Sequence, residues 1–387
     1  MPRPNFRRSL RFEILESREL LSGSFAAPTA QEQYMLELIN QARMNPAAAA
    51  VRVTSNLTAD ISATVAHYGV DLNATEQAIA SAAPQPPLDW NPDLAAAAQG
   101  HSDDMATNQF ESHDGSDGST ADQRMQQAGY TSASSTGENA FAYATSIDEA
   151  MQAFLIDWGV PSLGHRANIL QPNVSSNNAY QDVGIGIATT GPNSQVGPMV
   201  ITQDFGSQSN QPAQLLGVAY YDNQHTGMYE IGEGTGGMQI DATNLTTGQI
   251  TSTQTWNTGG YQMALKPGLY QITASFNGTV FQTLQVTIGT QNVEQDFVLS
   301  NTWDGRTRDQ VINSLVPAAT PPQPTASVST PSVAPAATPP QPTASVSTPS
   351  VVPAATPPQS TATVSTPPVN PLPTFSGSWT SWQAQVA

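Results

Sequence analysis

The chain has 387 residues, with 12 basic and 30 acidic side chains, a formal net charge of −18 and no cysteine. Binding a phosphate backbone needs clustered Lys and Arg, so the balance excludes nucleic acid as a partner. The lack of thiols excludes disulfides, thiolate nucleophiles and cysteine-type zinc sites, and no apolar run reaches the ~18 to 20 residues of a membrane helix, so no transmembrane segment is expected.

Residues 1–30 are basic, with Arg3, Arg7, Arg8, Arg11 and Arg18 supplying five of the twelve cations. Glu13, Glu16 and Glu19 break the apolar stretch that an ordinary secretory signal keeps continuous. The run Leu15-Glu16-Ser17-Arg18-Glu19-Leu20-Leu21 resembles the bacterial N-terminal sorting segment LEPR-XLL, with Ser17 in the proline position. That resemblance implies export, to a secreted or cell-surface location.

Residues 31–206 read as helices followed by strands. Met35, Leu38, Ile39 and Ala42 predict a helix over 32–44 that Pro46 closes. Leu94, Ala97, Ala98, His101 and Met105 share one face of a second helix over 92–106, which makes His101 a hydrogen-bonded core histidine. His67 falls in an insertion over 54–86 that carries no motif. Ser146 with Glu149 forms a capping box opening a helix that Gly159 ends. Strands follow over 182–190 and 198–205, and the expected result is an α+β layered domain.

Residues 214–300 alternate like strands. Tyr270, Ile272, Ala274 and Phe276 point one way, Asn277-Gly278 is a hairpin turn, and Val280, Leu284, Val286 and Ile288 continue beyond it. After a linker at 207–213, about seven short strands imply an all-β sandwich of the Ig-like or prealbumin-like kind. Within it, Asp222, Gln224, Thr226, Gly227, Glu230 and Glu233 follow the spacing of a twelve-residue calcium loop. The segment also resembles the strand-loop of SdrD B-like repeats in bacterial surface proteins. Ca²⁺ is a candidate occupant, with an acidic hairpin that binds no metal as the alternative.

Residues 301–373 hold a linker and three 18-residue Pro/Thr/Ser repeats starting at Pro317, Pro335 and Pro353. They lack the apolar bulk to stack as a solenoid, so a disordered, semi-rigid polyproline spacer is expected. An aromatic tail follows over 374–387, with Phe375, Trp379 and Trp382.

Three segments of the first domain set a His or Glu beside a turn: Glu111-Ser112-His113-Asp114-Gly115, Gly137-Glu138-Asn139 and Gly164-His165-Arg166-Ala167-Asn168. Two imidazoles and one carboxylate suit zinc and leave a coordination position open. These segments, together with Pro87-Leu88-Asp89-Trp90-Asn91, Arg124, Trp158, Val183-Gly184-Ile185-Gly186 and Gln203-Asp204-Phe205-Gly206, resemble the bacterial branch of the CAP (SCP-like) superfamily over 31–206. The resemblance implies an α-β-α sandwich with a central cleft, in which His113, Glu138 and His165 bind a divalent cation such as Zn²⁺. A second glutamate of the family, expected between Trp158 and His165, is missing. The functional expectation is a non-catalytic module binding a lipid, peptide or polysaccharide in the envelope or outside the cell. A metal-dependent hydrolase, with Glu138 as the candidate catalytic residue, is the alternative.

Overall fold

A computed structural model describes residues 26–299. The segment 15–21, the repeats and the aromatic tail lie outside the described residues. Helix α1 (Ala30–Met44) opens on a capping box in which the Thr29 hydroxyl accepts the Glu32 N–H and the Glu32 carboxylate accepts the Thr29 N–H. Pro46 stops α1 by opening α2 (Pro46–Thr54), at a position where a missing N–H leaves no helical bond unmade. The interval 54–86, which carries no motif, is largely helical. It holds α3 (Ala59–His67) and α4 (Leu72–Ala80), capped by Thr58 and Asp71, whose Ile61, Val65 and Ile79 enter the core while His67 stays exposed.

Helix α5 (Pro92–Asn108) buries the face anticipated from its spacing, and α6 (Ala121–Ala128) follows it. In α7 (Ile147–Ile156) only half of the expected capping box forms. Ser146 accepts the Glu149 N–H, but the Glu149 carboxylate turns to Thr145. This helix ends at Asp157 in the left-handed region, two residues before Gly159. Helix α8 (Gly164–Leu170) comes next.

The helices cover both faces of a sheet ordered β1-β3-β4-β2, built from β1 (Asp89–Trp90), β2 (Ala133–Ala144), β3 (Asp182–Thr189) and β4 (Met199–Gln208). Alternation divides β3 cleanly. Val183 and Ile185 face the core shared with α1, α2 and α7, whereas Gly184 and Gly186 face α5. The glycines are required there, because a Cβ on either would strike the α5 backbone at Leu94–Ala95 or Ala98–Gln99. The strand β2 was not foreseen. Its free edge lies where the two helical layers meet, so loops from both can reach Glu138 at its centre.

Eight strands follow: β5 (Gln214–Tyr221), β6 (Gln239–Asn244), β7 (Ile250–Gln254), β8 (Gly260–Ala264), β9 (Gly268–Phe276), β10 (Thr279–Ile288), β11 (Val293–Glu294) and β12 (Phe297–Leu299). One sheet runs β10-β9-β6-β7; in the other, β5 pairs antiparallel with β8 and parallel with β11 and β12. Both sheets feed one core through Leu215, Ile240, Ile272 and Phe297. The Asn277-Gly278 turn has both residues at positive φ, as the two-residue hairpin requires. A register shift between Val280 and Gln282 breaks the expected alternation and leaves Val280 exposed.

The two regions share packing. Val218, Tyr220 and Tyr229 join the core of the helical region, and the Gln262 amide exchanges two hydrogen bonds of 3.0 Å with the Trp90 backbone. A polar stripe on α1, formed by Gln33, Glu37 and Asn40 at i, i+4 and i+7, is consequently buried.

Candidate functional site

The sequence-nominated residues converge over the edge of β2. His113 arrives from the loop after α5 and His165 from the start of α8, with ring centroids 6.5 Å apart and ring planes at 43°. The His113 Nδ1 lies 2.8 Å from Glu138 Oε1, and Arg124 Nη2 donates to Glu138 Oε2 at 2.5 Å. Each Glu138 oxygen thus has a donor. Burial opposes its charge, but the hydrogen bond from His113 and the charges of Arg124 and His101 hold its pKa below the ordinary value. The same hydrogen bond raises the pKa of His113 against the opposing effect of burial.

His165 has a corresponding partner, which the sequence reading missed. Asp157, the left-handed cap of α7, accepts from His165 Nδ1 at 2.9 Å with one oxygen and from the Arg166 N–H at 3.1 Å with the other. Arg166 in turn donates to the last carbonyls of α7, at Leu155 and Ile156. Each imidazole therefore has its Nδ1–H fixed on a carboxylate, which leaves Nε2 as the free lone pair; the His113 and His165 side chains are 35% and 18% exposed. Metal-binding histidines are oriented in this way, with a carboxylate on the nitrogen away from the ion.

Other residues brace this arrangement. Asn139 donates to the His165 carbonyl and to Gln203, while Asn168 donates to the Glu138 carbonyl and to Asn139, tying β2 to α8. His101, fully buried as expected, bonds the Ser112 carbonyl through Nε2 at 2.8 Å and lies 4.0 Å from Glu138. Asp204 lies opposite Glu138 in the β2–β4 register, fully buried, with no donor on either oxygen. Burial and the neighbouring Glu138 push its pKa well up. Glu111 accepts the Ala142 N–H at 3.0 Å; burial raises its pKa, and the Ala142 bond with the charges of His165 and His113 pulls it back.

His113, Glu138 and His165 do not form a closed ligand triad. Among the described residues, only Glu37, Glu294 and Asp296 have three such donor atoms all within 4.8 Å of one another. The donor chemistry of the cleft fits two nitrogen ligands, with Glu138 orienting one of them. In the calcium-like loop the carboxylates are engaged by backbone. Asp222 accepts the Thr226 and Gly227 N–H groups, and Glu233, only 4% exposed, accepts those of Asn223, Gln224 and Glu230. Gln224 reaches Glu230, and Thr226 bonds Met228.

Residues 36–205 match the family described as CAP, the cysteine-rich secretory protein family, although this chain contains no cysteine. No curated protein matches. Among solved structures, an extracellular protein containing an SCP domain from Bacillus anthracis str. Ames is 25% identical over 40% of this chain and 45% of its own, with a TM-score of 0.25. The chain thus spans less than half the length of that protein. An outer surface protein from Borrelia burgdorferi is 16% identical over 38% of this chain and 92% of its own, with a TM-score of 0.26. The chain carries a CAP domain over residues 36–205.

Proposed function

We propose that this chain is an exported CAP-domain protein acting as a non-catalytic binding module in the envelope or outside the cell, with His113 and His165 offering Nε2 to a divalent cation such as Zn²⁺. The observation that carries this reading is the matched pair of anchors, Glu138 on His113 and Asp157 on His165, at 2.8 and 2.9 Å. A bound cation would supply Lewis acidity and a contact point for an oxygen-bearing ligand. The proposed ligand set is narrower than the expected three, because Arg124 already neutralises Glu138. The same ion pair argues against hydrolysis. A base held 2.5 Å from a guanidinium and hydrogen-bonded to His113 has a donor on each oxygen and its affinity for a proton lowered.

Export rests on the likeness of residues 15–21 to a sorting segment, and no helix among the described residues is long and apolar enough to cross a membrane. The strands of 214–299 are read as a prealbumin-like sandwich that carries the module. Equilibrium dialysis of the full chain with Zn²⁺ tests the central reading. One ion should be retained by the wild type and lost in a His113→Ala/His165→Ala double variant, while Glu138→Gln weakens retention without abolishing it. Equal retention by wild type and the double variant would overturn the proposal. Chelator-sensitive peptide or ester hydrolysis that disappears in Glu138→Gln would replace it with the hydrolase reading.

A further inference from the structure

The segment 222–233, after β5, reaches the helical region through Met228, which packs against its core. The segment is tied internally, since Asp222 accepts the Thr226 and Gly227 N–H groups and the Thr226 hydroxyl accepts the Met228 N–H. Tyr229, the next residue, packs against Tyr34 of α1 and Tyr220 of β5, with ring centroids 6.5 and 6.1 Å away. Met228 is thus held in place against α1 and α2.

Two strong donors end on its sulfur. The Gln41 amide Nε2 lies 2.9 Å from Met228 Sδ, and Arg52 Nη1 lies 3.0 Å from it. Arg52 is fixed by its other terminal nitrogen, which donates to the Tyr34 hydroxyl at 2.6 Å and to Asp148 at 3.0 Å. A thioether is among the weakest acceptors in a protein, so an amide and a guanidinium are poorly matched to it. An oxygen on that sulfur would suit them far better.

A second observation concerns access. Among the described residues, Met44 and Met228 are the two methionines that are not buried. Gln203 also donates to thioethers, those of Met35 and Met151, but these residues are only 0% and 3% exposed. Met228 combines paired donors with contact to solvent. Gln41 and Arg52 also line a cavity of about 20 Å³ with Leu38, Val53 and Met151, which gives both side chains room to draw back as the sulfur gains an atom.

We propose that Met228 is an oxidation site that takes one oxygen atom from a peroxide, and that its sulfoxide locks the 222–233 segment onto α1 and α2. The sulfur lone pair attacks one peroxide oxygen, and the O–O bond breaks. The proton of the transferred hydroxyl passes to the departing oxygen, so hydrogen peroxide leaves as water and an alkyl peroxide as an alcohol. The sulfur gives up two electrons and the peroxide takes them. The sulfoxide oxygen is a strong acceptor, and the Arg52 and Gln41 N–H groups turn to it. Oxidation of methionine disrupts an apolar contact where it sets a polar oxygen against no donor. Here the donors are already in place, so the sign is reversed. The inference stands whether or not the histidine pair binds a cation.

The test exposes the full chain to low-millimolar hydrogen peroxide. One portion is digested and read by mass spectrometry, and a second is unfolded by heat. Met228 should gain an oxygen about tenfold faster than the buried Met35, Met105 and Met151. The oxidised chain should melt about 2 °C higher than the untreated one, and methionine sulfoxide reductases should remove the rise. Met228→Leu keeps the apolar contact and should show no rise. Gln41→Leu leaves the sulfoxide one donor and should show about half of it. Three results would overturn the proposal: Met228 reacting no faster than the buried methionines, a lower melting temperature after its oxidation, or a rise that persists in Met228→Leu.

Discussion

Two groups of buried acids lie in this molecule and end in opposite states. Glu138 is 8% exposed, as is Glu37. Glu138 has Arg124, His113 and His101 around it, and its pKa is lowered. Glu37 has only other carboxylates and phenols for charged or ionisable neighbours, and its pKa is raised. Burial imposes the same kind of penalty on both, so what differs is the partner. At the β2 edge the chain supplies its own cation and stores charge at neutral pH. At the boundary with the strands it supplies none, and the pKa values of the acids rise.

Removing the internal cation is the strongest way to break this contrast. Arg124→Leu strips Glu138 of its counter-charge while Asp204 lies beside it, and also removes the bonds to the Ser119 and His113 carbonyls. A loss of about 3–5 kcal/mol is expected in urea unfolding. Adding Glu138→Gln to the same chain should recover part of that loss, and the coupling in the double-mutant cycle would measure the pair. Fully additive effects would mean that the two side chains do not depend on each other.

The second group predicts a gain. Asp296 is raised to about 6 from an ordinary value of 3.8. Its ionisation therefore costs nothing below pH ~4, and the cost grows as pH rises through about 6. Asp296→Asn keeps an oxygen for the Val218 N–H. In EDTA at pH 8 it should be more stable than the wild type by about 1–2 kcal/mol, with the advantage vanishing near pH 4. A pH-independent difference would show that packing, not charge, separates the two proteins.

The contrast also marks what a sequence displays. The apolar faces of α1, α5 and α7 were legible because 3.6-residue spacing records which side faces a core. The polar stripe of α1 was not, since Gln33, Glu37 and Asn40 look like a solvated face until the strands at 214–299 cover them. His113, Glu138 and His165 could be nominated from motifs, but Glu138 was placed at a turn. The Ser134-Ser135-Thr136-Gly137-Glu138-Asn139 run lacks strand propensity, and pairing with β4 makes it a strand. Asp157 carries no local signal, and Asp204 was read only as part of a family motif. One becomes a histidine anchor through the left-handed end of α7 and the other faces Glu138 through strand register, and both are long-range consequences of the fold.

The smallest effect sharpens the comparison at the cleft itself. Glu138 raises the pKa of His113 above its ordinary 6.5, so the protonated imidazole contributes stability that is complete below pH ~6.5 and is lost as pH rises through the folded value. His113→Gln should therefore cost more at pH 5.5 than at pH 8.5, the reverse of the Asp296→Asn pattern, in which the difference grows with pH. The side chain is 35% exposed, so solvent screening limits the difference to about 0.5 kcal/mol. A direct reading comes from NMR titration of the His113 ring, which should move toward the ordinary value in Glu138→Gln but not in Asp157→Asn. If both variants shift His113 equally, the two anchors are electrostatically one unit, and separate orientation of the imidazoles would have to be given up.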